Sequence, residues 1–308
     1  MKRMVKQFGI SLVILLFAAK AELAFGSRAA ECEAVTNIRN ILADIRTPGE
    51  RTEAISKVCA VMEDVNEVME ARELAAAKLG ELGAVEAKDM LKALAEELTW
   101  GDSTRQLKRA CSLSYWQIRV SEEPKAVEQE ELLMKLLWGK KHPPPHADVT
   151  PDWAAGELAN RGVKRALPEI IESIRYRNPG ERGEKEIWLC KTKIDLLSAS
   201  KSRLEGLAKA LETQDITNDQ LLLRWAIAEL GKLGSDANRS LLAAFALRLQ
   251  SRYYDWWGRM IEDSNDPLCR AAGDLYRRAI GILRAGGMTD AQMKAAGLRP
   301  NRFFIQPP

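Results

Sequence analysis

Three observations predict an all-α protein, an α-solenoid (superhelix) of about seven antiparallel helix pairs. Apolar residues recur at helical spacing along the 308-residue chain, and no stretch alternates as a half-buried strand does. Helix starts and stops are marked by capping residues and glycines. Three segments, beginning near residues 71, 150 and 222, resemble one another.

The helix starts are explicit. Thr47-Pro48-Gly49-Glu50 reads as a cap, a proline at the first helical position and a glutamate that closes a capping box. Thr150-Pro151-Asp152 repeats the Thr-Pro start, Asp266-Pro267 uses Asp for the same job, and Thr289-Asp290-Ala291-Gln292 is a second capping box. Helix ends are expected near Gly83, Gly139, Gly162, Gly234 and Gly286, where positive φ costs little only for glycine.

The internal similarity sets the larger organisation. Residues 71–98, 150–177 and 222–249 each read as an alanine-rich helix, a Leu-x-x-x-Gly turn and a second amphipathic helix. Leu79, Leu158 and Leu230 align, as do Gly83, Gly162 and Gly234, and Leu91, Ile170 and Leu242 coincide in the second helices. The aligned glycines are 79 and 72 residues apart, twice a unit of roughly 36–40. Each gap therefore holds a further, degenerate pair, expected at 103–138 and 184–212. Residues 31–65 supply a leading pair and 266–297 a closing one. His142-Pro143-Pro144-Pro145-His146 cannot be helical. The expected organisation is a block at 27–140, a Pro-rich linker at 141–150, a second block at 151–300 and a tail at 301–308.

Leu79-Gly80-Glu81-Leu82-Gly83, with alanines before it, resembles the HEAT-like repeat also found in phycobilin lyases, and Leu230-Gly231-Lys232-Leu233-Gly234 is just as similar. Leu158-Ala159-Asn160-Arg161-Gly162 departs at Ala159 and Arg161, but Ala166-Leu167-Pro168 fits. The resemblance implies a stack of helix pairs with an extended curved binding surface. It also implies an alternative, an enzyme or enzyme subunit resembling the bilin lyases.

The N-terminus addresses compartment. Lys2, Arg3 and Lys6 precede an uncharged apolar run from Phe8 to Ala19, and small residues follow, with cleavage after Ala21, Gly26 or Ala29 and a mature N-terminus expected between residues 22 and 30. That order is a secretory signal, taken as residues 1–26. The run is about 12 residues, short of the roughly 20 that span a bilayer. The protein is expected to be exported, periplasmic or extracellular, with no stable membrane insertion once the signal is cleaved. Removing residues 1–26 takes four basic and one acidic residue and leaves 42 of each. Such a balance offers no footprint for nucleic acid.

Catalytic constellations are missing from the sequence. His142 and His146 are the only histidines. In an extended polyproline stretch they stand roughly 12 Å apart, too far to share an ion, so no metal site, cofactor or catalytic residue is expected. HEAT-repeat metal hydroxylases carry paired His-Glu motifs within the repeats, and none occurs here. Without another histidine, Ser-His-Asp and Cys-His chemistry lacks its base.

Five cysteines, Cys32, Cys59, Cys111, Cys190 and Cys269, survive cleavage. Cys32 and Cys59, on consecutive antiparallel helices, are the pair expected to form a disulfide; the other three are expected to be buried thiols. Trp100, Trp116, Trp138, Trp153, Trp188 and Trp225 fall about once per helix pair, a spacing read as core. Tyr253, Tyr254, Trp256 and Trp257 differ, because successive helical residues turn by about 100° and four such rings cannot all face one core. These four are the expected binding residues. The function expected is an exported protein-binding scaffold or adaptor whose partner is another protein, with a purely structural envelope protein as a further alternative.

Overall fold

The computed structural model describes residues 33–43, 45, 47–99, 101, 104–138, 149–253 and 267–299. Among them there are fourteen α-helices and no strand, so the chain is all-α. Helix α1 occupies residues 33–43. It is followed by α2 (Pro48–Glu63), α3 (Met69–Glu81), α4 (Lys88–Glu97), α5 (Arg105–Ser121), α6 (Ala126–Leu136) and α7 (Thr150–Arg161). Then come α8 (Leu167–Arg177), α9 (Glu181–Ser198), α10 (Arg203–Thr213), α11 (Gln220–Leu233), α12 (Asp236–Tyr253), α13 (Pro267–Ala285) and α14 (Asp290–Ala295).

The chain divides into two compact units, Met1–Ala155 and Gly156–Pro308, and the division falls within α7. Residues 139–148, which include His142, His146 and Gly139, lie outside the described residues. In the first unit α2 packs on α3, α3 and α4 both pack on α5, and α5 touches α6. In the second unit each helix from α8 to α12 packs on its successor, and α9–α11, α10–α12 and α11–α13 pack across one intervening helix. The core of the first unit runs from Ile38 through Met62, Leu79 and Leu91 to Ile118. That of the second runs from Leu196 through Leu223, Phe245 and Tyr276 to Leu298.

Both predicted capping boxes form. Thr47 accepts from the Glu50 backbone while Glu50 returns a bond to the Thr47 N–H, and Thr289 and Gln292 do the same at α14. The Thr150 start differs. Thr150 lies inside α7, and its buried hydroxyl has no hydrogen-bond partner, so it does not cap.

The three aligned turns share one geometry. Gly83, Gly162 and Gly234 all have left-handed backbones, with φ of 60°, 71° and 63°. Leu79, Leu158 and Leu230 are buried, as are Leu91, Ile170 and Leu242. In the first two turns the residue after the glycine (Ala84, Val163) donates its N–H to the carbonyl of Leu79 or Leu158, at 3.0 and 3.1 Å. A single 3-10 turn then leads into the second helix, at Val85–Ala87 and Lys164–Ala166. The third turn omits it. There the Leu230 carbonyl receives the side-chain amide of buried Asn238 instead, at 3.4 Å. Asn238 stands where the other two repeats have buried Ala87 and Ala166. The glycine stop at the end of α13 is Gly287, with φ 86°, one residue later than the Gly286 expected.

A second regularity was not legible in the sequence. Helix C-termini leave carbonyls without intrahelical partners, and basic side chains from other helices of the same unit fill them. Arg72 donates to Met62 O, Lys108 to Leu98 O and Arg51 to Leu82 O. In the second unit Arg203 donates to Asn160 O, Arg239 to Gly286 O, and Arg248 to the carbonyls of Leu211 and Glu212. Each places a positive charge at the negative end of a helix dipole.

Candidate functional site

The expected binding residues fall at the edge of what is described. Tyr253 closes the backbone of α12, but its side chain, and all of Tyr254, Trp256 and Trp257, lie outside the described residues. So does Cys32. Cys59 is a half-buried thiol on α2, its pKa raised by burial and then by Glu63 and Glu86. Cys111, on α5, is fully buried in the core of the first unit, and burial pushes it up to about 12. Of the tryptophans read as core, Trp116 is buried edge-to-face on Tyr115. Trp188 is 45 % exposed and is not core. It lies on the same side of α9 as Glu181 and Lys185, away from the Ile187, Cys190 and Ile194 stripe that packs inward.

The most concentrated chemistry in the described residues lies in the second unit, where α7, α9, α10 and α11 meet. Helix α9 starts after Gly180 with Glu181 and Glu184 in its first turn, and the pairs Glu181–Lys185 and Arg182–Glu186 brace its outer face. Two turns further on, Lys193 turns inward and is only 8 % exposed. Its Nζ donates to Asn160 Oδ1 of α7 at 3.0 Å and stands 4.9 Å from the centre of the Trp225 ring on α11. Burial drives the Lys193 pKa below its ordinary value. Cys190, Glu229 and Glu157 oppose that shift, and Arg203 adds to it.

The surrounding charges are already paired. Glu229 is bound by Arg203 and by Lys232. Burial pushes the Glu229 carboxyl up, but the hydrogen bonds from Lys232 and Arg203 outweigh it, so the group is held below its ordinary range and stays ionised. Glu157 pairs with Arg161 at 3.1 Å. The Trp225 indole Nε1 is buried with no hydrogen-bond partner.

Beside this cluster α9 and α11 form an open trough of about 380 Å³, lined by Glu181, Arg182, Lys185, Glu186, Leu189 and Leu221. Leu221 is 58 % exposed. Lys193 lies one turn beyond Leu189, and Trp225 one turn beyond Leu221. Sequence reasoning missed Lys193 although a signal was present: it falls three residues after Cys190 and four before Leu197, on the apolar stripe of its helix.

No three His, Cys, Asp or Glu side chains among the described residues gather as a metal site. None of the described helices is long and apolar enough to cross a membrane. No protein-family model, curated protein or solved structure matches the chain.

Proposed function

We propose that this chain is an exported scaffold of HEAT-like helix pairs, an α-solenoid that binds another protein through its exposed aromatic and apolar side chains. The observation that carries this reading is the packing of α9 on α11, α10 on α12 and α11 on α13. A stacked-pair array requires helices to pack two apart as well as one apart, and this packing supports the reading. The shared turn geometry at Gly83, Gly162 and Gly234 supports the same reading, since one backbone solution recurs at three aligned places.

Exposed Leu221, which lines the α9–α11 trough, and exposed Trp188 on α9 offer apolar surface to a partner. Tyr253, Tyr254, Trp256 and Trp257 are the proposed anchors, because Tyr and Trp bring large rigid contact area to interfaces. The order of basic, apolar and small residues at the start supports export.

The test is affinity capture by the mature protein from its native envelope fraction, followed by mass spectrometry and N-terminal sequencing of the endogenous chain. The scaffold reading expects one partner retained in stoichiometric amount and an N-terminus between residues 22 and 30. Intact Met1 on soluble protein removes the export claim. Failure of the purified partner to bind back removes the scaffold claim.

A further inference from the structure

We propose that Lys193 and Trp225 hold a carboxylate. Three cationic side chains among the described residues are more than nine-tenths buried: Arg72, Lys108 and Lys193. Arg72 and Lys108 each donate to a helix-terminal carbonyl, at 2.9 and 2.6 Å, which explains why burial is tolerated. Lys193 has no such carbonyl. Among the described residues its one hydrogen bond goes to the neutral amide oxygen of Asn160, and none of their carboxylates lies within ion-pairing distance of its Nζ. An ammonium carries three donors; the Trp225 ring faces one side of it, and at least one N–H is left over where a buried charge is costly.

The second observation is independent. Trp225, whose ring lies against that same ammonium, has a buried indole N–H with no acceptor. A buried donor that no protein group satisfies is open to an acceptor from outside the chain. Two neighbouring unfilled donors, one of them charged, ask for an anion with more than one acceptor oxygen.

The charges nearby select its valence. Arg203 adds positive field, while Glu229 and Glu157 act on Lys193 with the opposite sign. Both carboxylates are committed to other cations, and they would repel a dianion. A single negative charge balances Lys193 and no more, which favours a carboxylate over a phosphate. Leu189 and Leu221, which line the α9–α11 trough, stand one helical turn before Lys193 and Trp225. A carboxylate has two possible sources: a small free acid, or the acidic side chain or C-terminus of a docked chain. The second source rests on the scaffold reading above, and the first does not.

The experiment uses the whole mature chain labelled with 13C at lysine Cε and 15N at the tryptophan indole. It is titrated with sodium acetate against sodium chloride of equal ionic strength. A parallel arm uses one short peptide as the free acid and as the C-terminal amide. Saturable shifts are expected at Lys193 Cε and Trp225 Nε1 together. Affinity should fall at least about tenfold in Lys193→Met, and again in Trp225→Phe, which keeps an aromatic face but loses the pyrrole ring and its donor.

Saturation by acetate identifies a small acid. Binding by the free-acid peptide about tenfold tighter than acetate, and lost on amidation, identifies a docked chain. Equal shifts with chloride, unchanged affinity in a variant that retains its helical spectrum, or no saturation by either probe overturns the proposal. A positive acetate titration together with failed partner capture removes the scaffold and leaves the site.

Discussion

Replacing Gly80 by Ala sets two opposing effects against each other, and the structure says which wins. Gly80 is the glycine after Leu79 in the first repeat turn, at the point where α3 crosses α5. A Cβ there would lie 2.3 Å from Gln117 Oε1, 2.5 Å from Ser114 Oγ and 2.6 Å from Ser114 Cβ. The Gln117 amide is the end of a flexible side chain and can move. Ser114 is 1 % exposed and its Cβ is tied to the α5 backbone, so the helices must separate. Overpacking of this kind costs about 1–3 kcal/mol, against a helix-propensity gain of at most about 1 kcal/mol for Gly→Ala. The expected net loss is about 1–2 kcal/mol. Gly281→Ala is the control: it lies inside α13 with nothing within 4 Å of the added carbon. It should gain about 0.5–1 kcal/mol. Urea denaturation followed by far-ultraviolet circular dichroism measures both, and Ser114→Gly in the Gly80→Ala background should recover part of the loss. If Gly80→Ala proves as stable as the parent, close helix approach is not what this glycine serves.

Three further outcomes follow from the same geometry. Asn238→Ala should cost about 1–3 kcal/mol by leaving the Leu230 carbonyl buried without a donor, measured by denaturation; a neutral result would mean the backbone closes the turn as it does after Gly83. Lys193 has a folded pKa below its unfolded value of 10.5, so between those two values the unfolded chain binds more protons and Lys193 contributes stability that rises with pH. Lys193→Met should remove that rise, so the stability of the parent relative to the variant should climb as pH increases toward 10.5; a parallel pair of curves contradicts it. Cys111, pushed up to about 12 and fully buried, should resist a thiol reagent at neutral pH until the chain unfolds, whereas half-buried Cys59 should react sooner; mass spectrometry during labelling reads the order.

What was legible in the sequence follows from how local each cause is. Glycine at Gly83, Gly162 and Gly234 announces a left-handed backbone because no other residue adopts it cheaply, and a capping box is complete within four residues. Gly286 and Gly287 show the limit of that logic: two adjacent glycines are equally permissive, and the Met288 N–H, donating to the Leu283 carbonyl, puts the left-handed residue at the second. Trp188 was misread because even spacing of tryptophans says nothing of the side each ring faces. The basic caps of the second unit were invisible because their partners lie far along the chain, 37, 43 and 47 residues away for Arg248, Arg203 and Arg239. Lys193 was legible in principle as a charge on an apolar stripe, but its partners Asn160 and Trp225 come from two other helices and only the fold brings them to it.

The claim at the centre is that this protein works by binding another protein through aromatic anchors. Its most direct test is the affinity of the captured partner for single Ala replacements of Tyr253, Tyr254, Trp256 and Trp257, measured with the stability of each variant. The account predicts that at least one replacement weakens binding by about tenfold or more while stability stays within about 1 kcal/mol of the parent. Loss of roughly 3–5 kcal/mol of stability in all four, the scale of a buried aromatic, would contradict it and make these rings part of the core.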